Sequence, residues 1–394
     1  MNFKSKSQPK SRKYEPKPEF VERIKLLLPD EKDYNDYVEI LNYPPVRSIR
    51  CNTLKISPDK LKQKLEEKGW TIKQPWKNHE EIMIIEGKRV SEDNQDNKKN
   101  SQEENKTRNS NIKINNQQKI QAKQDFEQPT SVGDDNFGVV VGDVVDLEPG
   151  ELGRALEHML GYYYIQELAS MLPIIALKPK PNELYLDLCS APGSKTTQAA
   201  SEMLNTGTII ANELSLGRIK ILASNLEKNG VTNAIITKKD GIALCKRLKK
   251  NLPEIKFDKI LVDAPCSGEG TLRSSPITYQ MWSMRTVHTL SQIQKQLFAS
   301  AFGILKVGGE MVYSTCTHAP EENEQVVNWA LNKFENAIQI EKIEIPVKSR
   351  PGITKWKDED YKEEVKHACR IYPQDNNTEG FFLAKFKKLK EVEE

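Results

Sequence analysis

Residues 183–200 read ELYLDLCSAPGSKTTQAA, in which an apolar run is followed by a turn of small residues and a helical stretch. The apolar run is typical of a buried strand, and Gly193 lets a ligand approach the backbone of the turn. Thr196 and Thr197 open the helix. The turn has neither the GxxxxGK[ST] spacing of a P-loop nor the GxGxxG of a dinucleotide fold. The stretch therefore predicts a strand, a ligand-binding turn and a helix, without a phosphate loop.

Four further apolar runs follow this one, and helical stretches lie between them. They are residues 207–213, 233–240, 257–265 and 309–316. Apolar strands that alternate with amphipathic helices predict an α/β protein with a parallel, doubly wound sheet. Residues 337–346 and 380–388 are expected to pair as a closing hairpin.

The chain before this unit changes composition three times. Residues 1–18 are basic and contain prolines, which predicts a disordered tail. Residues 20–87 mix strand-like and helical stretches, which predicts a small α+β unit. Residues 88–136 are rich in Asn, Gln, Lys and Glu and have little to bury, so a disordered insertion is expected there. The predicted domains are residues 19–155, which contain the insertion, and residues 156–390.

The bulk composition of the 394 residues excludes several classes of protein. No apolar run approaches the ~20 residues that cross a bilayer, and the basic N-terminus lacks the apolar core of a secretory signal. The net charge of +3 does not indicate a nucleic-acid partner, because phosphate affinity comes from local Lys and Arg clusters. The six cysteines have no CxxC and no paired His spacing, so no disulfide scaffold or zinc site is expected. This cysteine usage predicts a cytoplasmic protein.

Acidic residues end four of the predicted strands: Asp187, Glu213, Asp240 and Asp263. In a doubly wound sheet, ligands bind outside the carboxyl ends of the strands, and Glu213 is placed to accept hydrogen bonds from both hydroxyls of a ribose. Asp240 would then lie beside an adenine. A nucleoside without phosphates suits S-adenosylmethionine, whose ammonium also favours acidic neighbours. The alternative is that the four acids are solvated strand-end residues.

Two cysteines, Cys266 and Cys316, follow predicted strands and lie in polar turns. A thiolate can add to carbon 6 of cytosine and make carbon 5 nucleophilic, and a second thiol can help to take the adduct apart. Asp263 is a candidate acid for N3 of the ring. The alternative is that a cysteine is a small buried hydrophobic residue, which suits Cys51 and Cys245 better. The residues alone do not rank the two sulfurs as nucleophile and helper.

Several motifs together resemble the Sun/Nop family of S-adenosylmethionine-dependent RNA cytosine-5 methyltransferases, the RsmB/RsmF-like class, and in their compact plan its archaeal tRNA enzymes. The resemblance covers most of residues 45–388 apart from the insertion. It implies a Rossmann-like methyltransferase fold with a mostly parallel seven-stranded sheet, preceded by a small α+β domain that recognises RNA. The motifs are RCNTLK (50–55), GYYYIQELASMLP (161–173), DLCSAPGSKT (187–196), LVDAPCSGEGTLRSSP (261–276), YSTCTHAPEENEQVV (313–327) and RIYPQDNNTEGFFLAKFKK (370–388).

The resemblance also implies roles for individual residues. Cys316 would be the nucleophile, Cys266 would assist product release, and Asp263 would contact the base or the methionine end of the cofactor. Glu213 would bind the ribose and Asp240 the adenine. The remaining residues implied to contact the cofactor are Cys189, Ser190, Ala191, Pro192, Gly193, Ser194, Lys195 and Arg218.

The partner implied by the resemblance is RNA, with tRNA as the expected substrate and ribosomal RNA as the alternative. Four basic residues are candidates to hold the RNA backbone: Arg50, Lys55, Arg273 and Arg370. The aromatic residues Tyr163, Tyr164 and Trp282 are expected to pack in the core. A non-catalytic RNA-binding scaffold, which needs neither thiol, is the alternative from another functional class. The protein is expected to act as a monomer.

Overall fold

The computed structural model describes residues 15–89 and 144–392. Most of the predicted basic tail and nearly all of the predicted insertion lie outside these residues. Within them, each helix is too short or too polar to span a bilayer.

A five-stranded antiparallel sheet forms the centre of the N-terminal region. Its order is β2-β3-β1-β5, and β4 pairs with the far end of β3. Helix α3, Pro58–Glu67, packs beside it. Because β5 belongs to this sheet, the unit extends past residue 155, where the sequence placed the boundary. The strands are β1 Ser48–Cys51, β2 Trp70–Lys73, β3 Ile82–Arg89, β4 Val144–Val145 and β5 Tyr163–Ile165.

The first two helices pack away from that sheet. Helix α1, Pro18–Leu27, and helix α2, Glu31–Ile40, place Phe20 and Tyr37 in an apolar cluster with Trp282. These helices therefore pack against the C-terminal region, although the sequence grouped them with the N-terminal unit.

A second, nine-stranded sheet is the core of the C-terminal region. Its central strands run in the order β10-β9-β6-β7-β8 and are parallel, and β16 adds antiparallel to β10. This arrangement confirms the predicted Rossmann-like α/β fold. The strands are β6 Leu184–Asp187, β7 Thr208–Glu213, β8 Ala234–Lys238, β9 Phe257–Asp263, β10 Leu305–Thr315, β11 Ile338–Glu341, β12 Arg350–Pro351, β15 Cys369–Ile371 and β16 Phe381–Lys388.

The sheet has two strands more than the seven expected. Strands β11 and β15 pair with successive parts of one edge of β16, and β12 pairs with β15. The predicted pairing of residues 337–346 with residues 380–388 is confirmed by β11 and β16. A separate two-stranded ribbon joins β13, Lys355–Trp356, to β14, Glu359–Asp360.

Helices cover both faces of the second sheet. Tyr185 and Leu261 point into a cluster with helices α6, α7 and α8, whereas Leu186 and Ile260 point into a cluster with α9, α11 and α12. Successive strand residues face opposite sides, so burial on both faces explains why the strands are continuously apolar. The helices are α4 Glu151–Arg154, α5 Leu156–Met159, α6 Leu168–Leu177, α7 Ser194–Glu202, α8 Leu216–Asn229, α9 Gly241–Asn251, α10 Thr278–Met281, α11 Met284–Ile304, α12 Glu324–Phe334 and α13 Pro373–Asn376.

Candidate active site

Cys266 and Cys316 lie on neighbouring loops at one edge of the second sheet. Cys266 follows β9, and Cys316 follows β10 directly. These strands are parallel neighbours with Asp263 paired to Ser314, so both loops leave the sheet at its carboxyl edge. The two Sγ atoms are 3.1 Å apart, and both side chains are partly buried. The structure thus brings together the two thiols that the sequence singled out.

The two sulfurs share one hydrogen bond, in which either thiol can be the donor. The hydrogen bond to Cys316, together with burial, raises the pKa of Cys266 well above that of a free thiol. Only a thiolate is strongly nucleophilic. The contact therefore lets one sulfur ionise while the other remains a thiol that donates to it, and it does not rank the two cysteines.

A partly buried ion pair lies beside the thiols. Lys195 Nζ donates to Asp263 Oδ2 at 2.7 Å and to Ser170 Oγ at 3.1 Å, and Ser314 Oγ donates to Asp263 Oδ1 at 2.7 Å. Burial lowers the pKa of Lys195, but the charge and hydrogen bond of Asp263 outweigh it, and Cys316 adds to the increase, so that the net pKa is raised. Lys195 therefore remains an ammonium that stabilises negative charge nearby.

A backbone junction fixes the two cysteine loops relative to each other. The N–H of Gly270 donates to the carbonyl of Cys316 at 2.9 Å, and the N–H of Gly380 donates to the carbonyl of Gly270 at 2.8 Å. A Cβ on Gly270 would lie 2.2 Å from the Gly380 carbonyl oxygen, and a Cβ on Gly380 would lie 2.3 Å from Nε2 of His318. Both distances are below van der Waals contact, so the junction accepts only glycine at these positions.

Only one of the two carboxylate oxygens of Asp187, at the end of β6, accepts a hydrogen bond. Its Oδ2 accepts from Thr196 Oγ1 at 2.7 Å, whereas its buried Oδ1 has no hydrogen-bond partner. Burial raises the pKa of Asp187 to about 7. A buried acceptor without a donor is costly, and a ligand ammonium would supply the missing donor.

The turn between β6 and α7 is held close to the neighbouring strand. Ser190 donates to the carbonyl of Asn212 through both its N–H and its Oγ, each at 2.8 Å. Gly193 has φ +103°, and a Cβ there would lie 3.0 Å from Leu222 Cδ1. Burial raises the pKa of the Cys189 thiol, so this cysteine is not a nucleophile. The turn is therefore a rigid cradle of small residues.

The next two strand-end acids already have protein partners. Glu213 accepts from the N–H of Ser215 at 2.8 Å and pairs with Arg218 Nη1 at 3.0 Å, and Arg218 also donates to the carbonyl of Ala191. Asp240 caps α9, and its side chain accepts from the N–H of Ala243 at 2.9 Å. Arg218 therefore joins the ribose candidate Glu213 to the glycine turn, whereas Asp240 is an exposed helix cap.

These residues fit S-adenosylmethionine. The unpartnered Oδ1 of Asp187 suits an ammonium, the glycine turn admits close backbone approach, and the acids of β6, β7 and β9 line one edge. A carboxylate-rich edge of this kind repels phosphates. The donor set therefore agrees with a cationic nucleoside ligand.

Comparison with known proteins identifies the family. A family model described as 16S rRNA methyltransferase RsmB/F matches residues 174–387. The chain belongs to this family. It is the Sun/Nop family of RNA cytosine-5 methyltransferases that the motifs resemble, so that prediction is confirmed.

Individual relatives of this RsmB/F family member act on two kinds of RNA. The tRNA (cytosine(49)-C(5))-methyltransferase of Pyrococcus abyssi is 43% identical over 236 residues, which are 60% of this chain and 73% of that protein. Ribosomal RNA small subunit methyltransferase F of Vibrio vulnificus is 36% identical over 375 residues, which are 95% of this chain and 64% of that protein. The chain thus spans less than two thirds of the ribosomal RNA relative.

Solved structures share the fold of this RsmB/F family member. A methyltransferase homologue from Pyrococcus horikoshii has a TM-score of 0.66 and 28% identity, and the match covers 95% of this chain and all of that one. NSun6 from the same organism, solved with the S-adenosylmethionine analogue SFG, has a TM-score of 0.69 at 23% identity and covers 95% of this chain and 99% of its own. The second likeness concerns the fold alone.

Three arginines predicted to hold RNA are structural in this family member. Arg50, Arg273 and Arg370 are each 2% exposed. Arg273 donates to three main-chain carbonyls and to a side-chain amide oxygen, and Arg370 is ion-paired with Glu324. Buried guanidinium groups are not accessible to phosphates, so the structure argues against these three RNA contacts.

Arg50 instead supports the cofactor turn. Its guanidinium donates to the carbonyl of Ser194 at 2.8 Å, to Thr197 Oγ1 at 2.8 Å and to the side chain of Gln166. Burial lowers the pKa of Arg50 to about 10, and no carboxylate is bonded to it. A buried cation on β1 of the N-terminal sheet therefore forms hydrogen bonds to the first turn of α7.

The other sequence predictions at the surface have mixed outcomes. Lys55 is exposed, but its ammonium donates to the carbonyls of Leu160 and Lys228 at the end of α8, so its RNA contact stays a prediction. The aromatic residues are core residues as predicted: Tyr163, Tyr164 and Trp282 are 0%, 9% and 2% exposed.

Sequence reasoning missed the residues that hold the cysteine loops. Gly270 and Gly380 form the junction described above. Glu322 and Asn323, which directly precede α12, form hydrogen bonds to the cysteine loops. A signal was present, since polar residues directly follow the Cys316 turn in APEENE. Their partners are long-range, so their function shows only in the folded chain.

Proposed function

We propose that this protein methylates carbon 5 of cytidine in tRNA through a covalent adduct between Cys316 and carbon 6 of the ring. The observation that carries the proposal is the 3.1 Å contact between the sulfurs of Cys266 and Cys316 beside the Lys195–Asp263 ion pair. S-adenosylmethionine, when bound at the edge that includes Asp187, supplies an electrophilic methyl group.

Cys316 is the proposed nucleophile for electrostatic reasons as well as by resemblance. The Lys195 ammonium interacts with the Cys316 sulfur and lowers the cost of negative charge there. Addition to carbon 6 pushes electrons toward N3 and carbon 5. Asp263 is the proposed contact to N3, and Lys195, which donates to its Oδ2, can supply the proton.

Cys266 is the proposed release residue. After methyl transfer, water takes the proton from carbon 5, the electron pair of that bond re-forms the double bond between carbons 5 and 6, and the bond between carbon 6 and the Cys316 sulfur breaks. A thiol in contact with that sulfur donates a hydrogen bond to the departing thiolate and so stabilises it. The hydrogen bond to Cys316 and burial raise the pKa of Cys266, which favours the thiol form needed for this donation.

The remaining roles follow from the cofactor edge. Asp187 and the turn from Cys189 to Lys195 are proposed to hold the methionine part, Glu213 with Arg218 the ribose, and Asp240 the adenine. Both thiols and these acids come from one chain, so one copy suffices and we propose a monomer. All six cysteines are free, which agrees with a cytoplasmic enzyme.

The N-terminal sheet is proposed to recognise RNA. Two relatives support different substrates: the tRNA enzyme has the higher identity, whereas the ribosomal RNA enzyme aligns with 95% of this chain. Ribosomal RNA is therefore the second candidate. A non-catalytic scaffold needs no pair of thiols in contact.

The test uses purified protein, S-adenosylmethionine and separate transcripts of tRNA and 16S rRNA. Bisulfite sequencing should find 5-methylcytosine in tRNA for the native protein and none for Cys316→Ala. Cys266→Ala should accumulate an RNA–protein adduct on a denaturing gel. Methylation by Cys316→Ala would contradict the nucleophile assignment, and methylation of the ribosomal transcript alone would favour the second candidate.

A further inference from the structure

Two consecutive buried residues contact different cysteine loops. Glu322 and Asn323 lie just before α12, and each is 0% exposed. The Glu322 carbonyl accepts from the hydroxyl of Tyr313 at 2.5 Å, which anchors the backbone of this segment to β10. Their side chains diverge from this fixed point.

Asn323 brackets Cys316. Its Nδ2 donates to the carbonyl of Thr317 at 2.9 Å, and its Oδ1 accepts from Thr315 Oγ1 at 2.6 Å. These partners are the residues on either side of Cys316. The side-chain amide of Asn323 therefore holds the loop on both sides of the proposed nucleophile.

Glu322 brackets Cys266 with the help of Gln294 from α11. The Oε2 of Glu322 accepts from the N–H of Ser267 at 3.0 Å and from Gln294 Nε2 at 2.8 Å. Gln294 Nε2 also donates to the carbonyl of Pro265 at 2.9 Å. The residues on either side of Cys266 are thus held by the carboxylate and the amide together.

We propose that Glu322 and Asn323 are positioning residues, one for each thiol, and that their adjacency in the chain fixes the distance between the two sulfurs. Neither side chain has to touch the substrate. The separate consequences for attack and release rest on the proposed roles of Cys316 and Cys266.

The two side chains should therefore affect opposite steps of the reaction. Displacing Cys266 slows release of the product, so a covalent RNA adduct accumulates. Displacing Cys316 slows attack, so less adduct forms. A third link, between Ser267 Oγ and Thr317 Oγ1 at 2.8 Å, keeps the loops together, so single substitutions displace a thiol without separating the loops.

The experiment measures adduct and product for Glu322→Ala and Asn323→Ala with an unmodified tRNA transcript and S-adenosylmethionine. Since a displacement of ~1 Å can cost about 100-fold in rate, both variants should lose methylation by roughly 10- to 100-fold. Only Glu322→Ala should show the adduct band. Glu322→Gln, which keeps an oxygen for the Ser267 N–H, should behave nearly as the native protein does.

Glu321→Gln is the matched control. Glu321 is the preceding buried glutamate, but its carboxylate accepts from Arg23 and Trp356 and does not reach a cysteine loop. This variant should show no adduct beyond the native level, even if its thermal midpoint falls. An adduct in Glu321→Gln, or none in Glu322→Ala when Cys266→Ala shows one, would overturn the inference.

A second readout does not depend on the reaction. Diamide, an azo oxidant, takes two hydrogens from the Cys266 and Cys316 thiols and leaves a disulfide between them, and the loss of both free thiols can be followed by mass spectrometry. Disulfide formation has narrow geometric limits, so either alanine variant should form it about tenfold more slowly than Glu321→Gln. Unchanged rates in both would refute the positioning role. If Cys266→Ala gives no adduct while these rates fall, the proposed release role fails and the positioning role stands.

Discussion

Replacing Asp187 with Asn should change the stability of the cofactor-free protein in a pH-dependent way, and the variant should gain on the native protein as pH rises. The carboxylate is fully buried, and its folded pKa of about 7 compares with 3.8 for an unperturbed aspartate. Below pH ~4 the residue is neutral in both the folded and unfolded states, and its burial has no ionic cost. As pH rises toward 7, the unfolded state ionises first, so the folded state loses stability over this window.

The size of the effect follows from the shift in pKa. About three pKa units at ~1.4 kcal/mol each give a cost of about 4 kcal/mol above pH ~7. Near pH 5.5 only about half of this cost is present. The free energy of unfolding of Asp187→Asn, relative to the native protein, should therefore increase by about 2 kcal/mol between pH 5.5 and 7.5.

One contribution to the free-energy difference between variant and native protein does not depend on pH. An Asn side chain keeps an acceptor for Thr196 but places a buried N–H donor where Oδ1 has no partner, which costs about 1–3 kcal/mol at every pH. Glu322 and Glu379 also have pKa values raised to about 7, so the native protein itself loses stability across this range. Only the difference between variant and native protein reports Asp187.

Urea denaturation followed by tryptophan fluorescence at the two pH values measures this difference. Asp240→Asn is the control, because it makes the same substitution at an exposed helix cap instead of a buried carboxylate. A variant-minus-native difference that stays constant within about 0.5 kcal/mol would refute the titration of Asp187 in this range. Addition of S-adenosylhomocysteine should stabilise the native protein more than Asp187→Asn, because its ammonium supplies the missing donor.

Gly380→Ala should lower the thermal midpoint and cut methylation at least about tenfold, because its Cβ would lie 2.3 Å from His318 Nε2 and displace the cysteine loops; native activity would contradict the junction. Arg50→Met should weaken binding of a cofactor analogue about tenfold in calorimetry. Asn52→Ala is the control, because native Asn52 bonds to the end of α8 and not to the turn, and it should not weaken binding. Equal losses would argue against a specific link between Arg50 and the turn. Deletion of residues 91–142 should leave methylation within about twofold, since Arg89 already pairs with the strand that follows; a folded but inactive deletion would show a functional insertion.

The central fold was predictable because its signal is local. The central strands β6 and β9 are largely apolar, and burial on both faces of the sheet requires this pattern. The meeting of Cys266 and Cys316 was predictable for a related reason: residues that follow parallel neighbouring strands share one edge of the sheet. The two extra strands were not, since β12 and β15 are only two and three residues long.

Arginine burial was not readable from sequence. Arg273 is bonded to the carbonyl of Tyr43, which lies 230 positions away in the chain, and its other partners lie 104 to 229 positions away. A positive charge in a functional motif looks the same whether it faces a phosphate or a set of carbonyls. The order of the two thiols is likewise not readable from the residues, and its assignment rests on the family resemblance.

The position of Gly380 has a consequence for protein synthesis. Both cysteines, the glycine turn and the strand-end acids are translated before residue 317, but the junction needs Gly380, and β10 needs β16 as its neighbour. A nascent chain that ends before residue 380 has the reactive groups but not the strand that aligns them. We expect the thiols to remain unaligned on the ribosome, so that covalent chemistry on nearby RNA begins only after β16 has emerged and joined the sheet.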